Sequence, residues 1–316
     1  MIDHDVGQGT RWAVAVDLGG TWIRTAAVSD TGAIGPLGRR ETAAGRPHGD
    51  ILGDVLALIE EAAGHVTAQS RTISGVGVGI ATVLDGEGRT VPCPTLPTLG
   101  NLDLRDLIGS RTRLPVAVAN DASCFALGEA WMGAGRECSH LCGLTLGTGI
   151  GLGIVIDGRI YSGSHGFAGE IWRTPTGDGC LEDHVSGRAI ERQYRSLSGM
   201  KRPCAQIADL AAAGDAAALA AFVEFGRWLG ATVAFLVNAL DPDVVVLGGA
   251  IALSFDLFRR PVEDALAKTT SPGRARLERS SLGDSAALLG AAKLLWDRLE
   301  GDEGPTARGS REGETG

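Results

Sequence analysis

Two short glycine-rich stretches constrain this chain more than any other feature. Asp17-Leu18-Gly19-Gly20-Thr21 and Thr145-Leu146-Gly147-Thr148-Gly149 lie 128 residues apart, each bracketed by apolar, strand-like runs. A β-hairpin with a small-residue turn is thus used twice, once near the start of each half. Chance likeness is the rival reading, but the placement favours a duplicated domain with a cleft between the halves. Glycine supplies 47 of 316 residues, about twice its usual ~7% share. The glycines gather at 19–20, 147–153 and 248–249, three places where a ligand would gain close access to backbone. They follow no Gly-x-y period, so a collagen-like chain is excluded.

Elsewhere the pattern alternates. Helices are predicted over 50–64, 102–108, 216–240 and 285–299, with another opening at Asp121 and closed by Gly133. Strands are predicted over 73–83, 115–119 and 244–247, the last running into Gly248-Gly249. Such alternation reads as α/β. Residues 31–49 are rich in Gly, Pro and Arg and loop-like at their end, 161–183 read as a long functional loop and 300–316 as a disordered tail.

Charge and composition narrow the function. Lys plus Arg is 29 against 38 Asp plus Glu, a formal net charge of −9. A broad nucleic-acid interface is therefore not expected. The start, MIDHDVGQGTRW, lacks the form of a secretory signal. Residues 139–156 carry no formal charge, yet their glycines suit paired strands rather than a spanning helix. No membrane segment and a cytoplasmic location are the expectation. Six cysteines are too few for a disulfide scaffold. Around His140, Cys138 and Cys142 read as structural thiols, with a metal cluster as the minority alternative.

The two Gly/Thr turns make a sensible polyphosphate cradle, since exposed N–H groups and threonine hydroxyls both donate to phosphate. Neither turn has P-loop spacing, and neither matches the dinucleotide fingerprint. Hairpin geometry alone is the competing explanation. Asp17 ends a buried strand, where it could serve a Mg²⁺ ion or cap the turn. Asp121 follows a strand and opens a helix, a position suited either to a general base or to an N-cap. Asn120 offers a donor and an acceptor to sugar hydroxyls. Glu170 and Glu182 could each accept from vicinal hydroxyls or simply be solvated. Neither His165 nor His184 is assigned a catalytic role.

Taken in order, DLGGTWIRTAAV (17–28), NDASCFALGEAW (120–131), LTLGTGIGLGIVIDG (144–158), GFAGE (166–170), GCLEDHVSG (179–187), DPDVVVLGG (241–249) and LGDSAALLGAA (282–292) resemble the ROK family of sugar kinases, within the actin-like ATPase superfamily. The likeness runs from about residue 12 to 298. It implies two actin-like (ribonuclease-H-like) domains with mixed sheets flanking a cleft. Residues 10–119, completed by the helix at 285–299, would form the first, and 120–284 the second. ATP, Mg²⁺ and a small-molecule sugar are the implied ligands, and a homodimer the implied assembly. Asp17, Gly19, Gly20 and Thr21 would face Mg²⁺ and phosphates, with Gly147, Thr148 and Gly149 opposite. Gly248 and Gly249 would line the nucleotide pocket. Asn120 and Asp121 match the family's Asn-Asp pair, Asp121 being the base, and Glu170 and Glu182 match its sugar-binding glutamates.

Departures from the family pattern bear on the acceptor. Arg173 stands where members commonly carry a zinc-ligating, sugar-touching histidine, and the cysteine-rich loop retains only Cys180. A Cys₃His zinc site cannot be built from these residues, so no structural zinc is expected. Packing of Trp172 is the expected substitute, with Arg173 a candidate acceptor contact. Thr95 stands roughly where an asparagine is frequent. The expected reaction is transfer of the γ-phosphoryl group of ATP to the primary 6-hydroxyl of glucose or of an amino sugar such as kanosamine. The pattern is similar to that of kinases acting on kanosamine or C7-cyclitols, so a C7-cyclitol 7-kinase is one alternative. A polyphosphate-using glucokinase and a non-catalytic sugar-binding protein are others. A sugar-responsive repressor, a class the family also contains, carries a helix-turn-helix ahead of the first turn; with 16 residues before Asp17, that reading is not expected.

Overall fold

The computed structural model describes residues 10–269 and 276–302. In the first half, β1 (Trp12–Leu18), β2 (Trp22–Ser29) and β3 (Gly38–Glu41) form an antiparallel meander. After α1 (His48–Thr67), β4 (Ile73–Ile80) returns parallel to β1; after α2 (Leu104–Thr112), β5 (Val116–Asn120) joins parallel to β4. The sheet order is β3-β2-β1-β4-β5. Helix α3 (Asp121–Met132) leads into the second half, where β6 (His140–Leu146), β7 (Ile150–Ile156) and β8 (Arg159–Ile160) repeat the meander. Then come α4 (Gly187–Ser198), α5 (Cys204–Ala212) and α6 (Ala216–Leu240). Strand β9 (Val244–Gly248) lies parallel to β6, and beyond α7 (Arg259–Thr269), β10 (Arg276–Arg279) lies parallel to β9. That order, β8-β7-β6-β9-β10, reproduces the first sheet strand for strand. The glycine echo is thus the visible trace of a repeated topology. Residues 139–156 are the β6–β7 hairpin, not a spanning helix.

The first sheet shows why its strands are built from two kinds of residue. Every residue of β1 is buried. Val14, Val16 and Leu18 join Val76, Val78 and Ile80 in a core beneath α1. On the opposite face lie Ala13 and Ala15, against Leu288, Ala291, Ala292 and Leu295 of the last helix, α8 (Ala286–Asp302). The alternate glycines of β4 belong to that second face, since a Cβ at Gly77 would collide with the Ala291 carbonyl. Bulky residues fill the α1 side; small ones let α8 lie directly on the sheet.

Helix α3 touches α8 and also strands of both sheets, so it sits between the halves. Its crossing with α8 is made at glycines. A Cβ on Gly128 would run into the Ala286 carbonyl, and one on Gly290 into the Cys124 carbonyl. Below the crossing, buried Glu129 accepts from Ala134 N (2.9 Å), Ser280 Oγ (2.5 Å) and Leu282 N (3.3 Å), tying α3 to the chain that leads into α8.

Several elements depart from the sequence expectation. Strand β3 lies inside the Gly/Pro/Arg-rich stretch 31–49, where no strand is predicted, while α4, α5, α7 and β10 carry no clear prior signal. Helix α8 runs on to Asp302, three residues into the predicted disordered tail, which must therefore be shortened; residues 303–316 lie outside the described residues. By length and composition α6 could cross a membrane, yet most of its apolar surface is buried within the second core.

Candidate active site

Both glycine turns stand at the ends of matching strands. In the first, Gly19 N donates to Trp22 O (3.0 Å) and Thr42 Oγ1 donates to Gly19 O (2.7 Å), leaving Thr21 exposed. A Cβ on Gly20 would lie 2.7 Å from Thr95 Cγ2, so the loop carrying Thr95 closes over this turn. In the second, Gly147 N donates to Gly149 O (3.0 Å), Gly147 faces open space, and Thr148 is exposed.

The two glycines at the end of β9 differ from each other. Gly249 has φ +82° and its Cβ would strike the Leu146 carbonyl, which places it beside the second turn. Gly248 is buried where a Cβ would enter the Phe125 ring. Packing accounts for Gly248 by itself.

Asp17 lies one residue before the end of β1 and meets Arg24 Nη1 at 3.3 Å. Burial nevertheless raises its pKa against the pull of Arg24. A buried carboxylate with a single cationic partner at the edge of hydrogen-bond range favours further positive charge. Mg²⁺ in phosphoryl-transfer sites is commonly held by one or two carboxylates, waters and substrate phosphates, so Asp17 beside an open glycine turn fits it. Among the described residues no group of three or more His, Cys, Asp or Glu is arranged to hold a metal.

Asp121 and Asn120 divide the work expected of one residue. Asn120 is the N-cap of α3: its Oδ1 accepts from Ala122 N (2.9 Å) and Ser123 N (3.2 Å), and its Nδ2 donates to Thr82 O (3.3 Å). Asp121, the alternative candidate for the cap, is the first helical residue, with Oδ1 2.9 Å from Ala122 N. Desolvation first, and then the charges of Asp17 and Glu170, push its pKa up to about 7. Three carboxylates from separate elements therefore share one electrostatic site. Asn120 and Glu170 also line a cavity of 500 Å³ with Ser123, Ser162, Arg159 and Arg298.

The acceptor-loop residues are placed unequally. Glu170 accepts from Trp172 Nε1 at 2.6 Å, and burial raises its pKa against that bond and the nearby Arg173. Arg173 itself is exposed, its guanidinium 4.5 Å from the Trp172 ring centroid. The structure gives Arg173 a stacking partner in Trp172, close enough to Glu170 to act on its carboxyl. Glu182 lies against the second turn, with Oε2 3.4 Å from Ile150 N and Oε1 2.6 Å from Arg188 Nη2. The stretch where the family's cysteines would stand is tied by other means. Cys180 N and Sγ both donate to Asp183, and His184 stacks on Trp228 at 3.9 Å while bonding Thr176 and Asp178. Replacing Trp172 with phenylalanine keeps the ring under Arg173 but removes the donor to Glu170. On the resemblance's reading of Glu170 as a sugar ligand, sugar affinity should fall several-fold, as titration of wild type and variant with candidate hexoses would show.

Arg24 and Arg188 escaped the sequence reading. For Arg24 a signal existed: it pairs directly across the hairpin from Asp17. Arg188 had none, because its contact with Glu182 depends on a turn between them.

Two sheets of one topology, each with a glycine hairpin at the mouth, and clustered carboxylates between them define a phosphotransferase-like cleft of the actin-like class. The chain belongs to the ROK family, whose model matches residues 13–298. It is 31% identical to a glucokinase of Thermotoga maritima, over 91% of this chain and 98% of that protein. It is also 31% identical to an N-acetyl-D-glucosamine kinase of Pectobacterium atrosepticum, over 78% and 86%. The crystal structure of a ROK family glucokinase from Streptomyces griseus in complex with glucose and AMPPNP superimposes with a TM-score of 0.77 at 27% identity, covering 90% of this chain and 98% of that one.

Proposed function

We propose that this protein is an ATP-dependent sugar kinase that phosphorylates the primary hydroxyl of a hexose or hexose-like ring. The observation that carries the reading is Asp121: a carboxylate with pKa near 7, at the start of the inter-lobe helix and coupled to carboxylates of both halves. A general base works best when its pKa lies near the operating pH. In the proposed step the acceptor oxygen bonds the γ-phosphorus as its proton passes to Asp121. The bond from that phosphorus to ADP breaks, and ADP keeps the electron pair. The two glycine turns supply N–H donors to the phosphates, and Glu170 and Glu182 orient the sugar hydroxyls. Mg²⁺, held by Asp17 and water, would neutralise phosphate charge.

Kinship to kinases of glucose and N-acetylglucosamine supports a hexose acceptor. The finer preference, an amino sugar such as kanosamine or a C7-cyclitol, rests on the Trp172-Arg173 substitution and the altered Thr95 loop. The test is ADP release with ATP and Mg²⁺ across glucose, glucosamine, kanosamine, mannose, N-acetylmannosamine, N-acetylglucosamine and a valienone-type cyclitol. We expect one acceptor to exceed the rest in kcat/KM by at least tenfold. No sugar-dependent release across the panel overturns the reading; polyphosphate replacing ATP as the better donor corrects it.

A further inference from the structure

Helix α4 brings a cation to the second glycine turn. Gly187 N donates to Gly147 O at 2.8 Å, so the residue before Arg188 is fastened to the turn itself. Arg188 Nη2 lies 2.6 Å from Glu182 Oε1, while the other oxygen of that glutamate reaches back to the backbone of Ile150. The Arg188 side chain is 61% exposed and that of Glu182 23%. Two other arginines beside the acidic cluster are differently engaged: Arg24 is bonded to Asp17, and Arg173 is exposed against the Trp172 ring.

This arrangement poses a conflict on binding. Arg188 takes up one acceptor site on Glu182 Oε1, so sugar hydroxyls drawn to that carboxylate compete with the guanidinium for it. A triphosphate over the 147–149 turn would bring concentrated negative charge beside a guanidinium on a long stem. Exposed ion pairs are weak and easily exchanged, whereas the guanidinium fork matches phosphate oxygens in geometry as well as charge. We propose that Arg188 is a catalytic residue that contacts the γ-phosphoryl group. Glu182 holds it in the structure, and acceptor hydroxyls release it by competing for that carboxylate. It forms no covalent bond; it donates hydrogen bonds to the equatorial oxygens, whose charge must be stabilised as the group transfers. Acceptor binding thereby prepares the cleft for ATP, a coupling that discourages transfer to water.

The inference rests on the kinase reading above, and one experiment separates the two. Initial rates for wild type, Arg188→Lys and Arg188→Gln are measured with the preferred acceptor. Binding of a non-hydrolysable ATP analogue is titrated with and without that acceptor. We expect Arg188→Gln to lower kcat about 10²-fold, with Arg188→Lys recovering part of the loss and the acceptor KM unchanged or lower. Acceptor should tighten analogue binding at least about fivefold in wild type and leave it unchanged in Arg188→Gln. A purely structural arginine would instead raise the acceptor KM with kcat preserved. Active wild type with Arg188→Gln turnover within threefold of it overturns the role of Arg188 alone. Wild type without sugar-dependent ADP release overturns the kinase reading and this inference together.

Discussion

Asp121→Asn should lower kcat by about 10²–10⁴-fold while leaving sugar and nucleotide binding nearly intact. Asparagine preserves the shape and the acceptor that meets Ala122 N, and Asn120 still caps the helix. What it loses is the capacity to take a proton. In wild type, kcat/KM should climb with pH through about 7, as the raised Asp121 carboxyl ionises beside Asp17 and Glu170. Stability runs the other way. Because its folded pKa lies above the unfolded value, the folded state holds the extra proton, and the stability this contributes is lost as pH rises from about 4 to about 7. Asp121→Asn should therefore melt higher than wild type at pH 8, with the gap closing below pH 4. Near-normal turnover in the variant would remove Asp121 from the role of base; a flat rate profile between pH 6 and 8 would remove the raised pKa from the mechanism.

Gly290→Ala should be the most damaging methyl group that could be added at any described glycine. At the crossing of α3 and α8 the new Cβ would be driven into the Cys124 carbonyl, part of the backbone and unable to rotate away. Overpacking of this kind costs about 1–3 kcal/mol, and more where backbone must move. The damage should reach function, because α3 carries Asp121 and α8 closes the face of the first sheet. We expect a lower melting midpoint and a lower kcat together. Gly53→Ala in α1 is the control: nothing lies within 4 Å of its added Cβ, so helix propensity alone should act, stabilising by roughly 0.5–1 kcal/mol. Equal midpoints for the two variants would refute the close helix crossing.

Much of the fold was legible because its signals are local. The two hairpins announce themselves through small-residue turns between apolar runs, and their strands fall at 12–29 and 140–156. Helix α6 begins and ends where its spacing and Asp241-Pro242 predict. The weaker elements were not legible for a matching reason. Strands β3 and β10 are four-residue edge strands rich in arginine, with little burial to impose alternation. Helices α4 and α7 are largely polar, with narrow apolar faces.

For the site, chain order supplied the chemical inventory: Asp17, Asn120, Asp121, Glu170, Glu182 and the three glycine clusters were all in view. Their partners were not. That Asn120 rather than Asp121 caps α3 depends on one backbone angle at the end of β5. That Gly248 admits a phenylalanine ring while Gly249 turns the chain depends on what lies opposite each. Arg24, Arg188 and Trp172 found their carboxylates only through hairpin register and loop path. Sequence by itself determined the repeated hairpins and the residue types available at each turn, since those follow from short-range sterics and periodicity. Tertiary structure alone decided which carboxylates share a field, which arginines neutralise them and how closely α8 meets α3, because burial and long-range contact exist only once the chain has closed on itself.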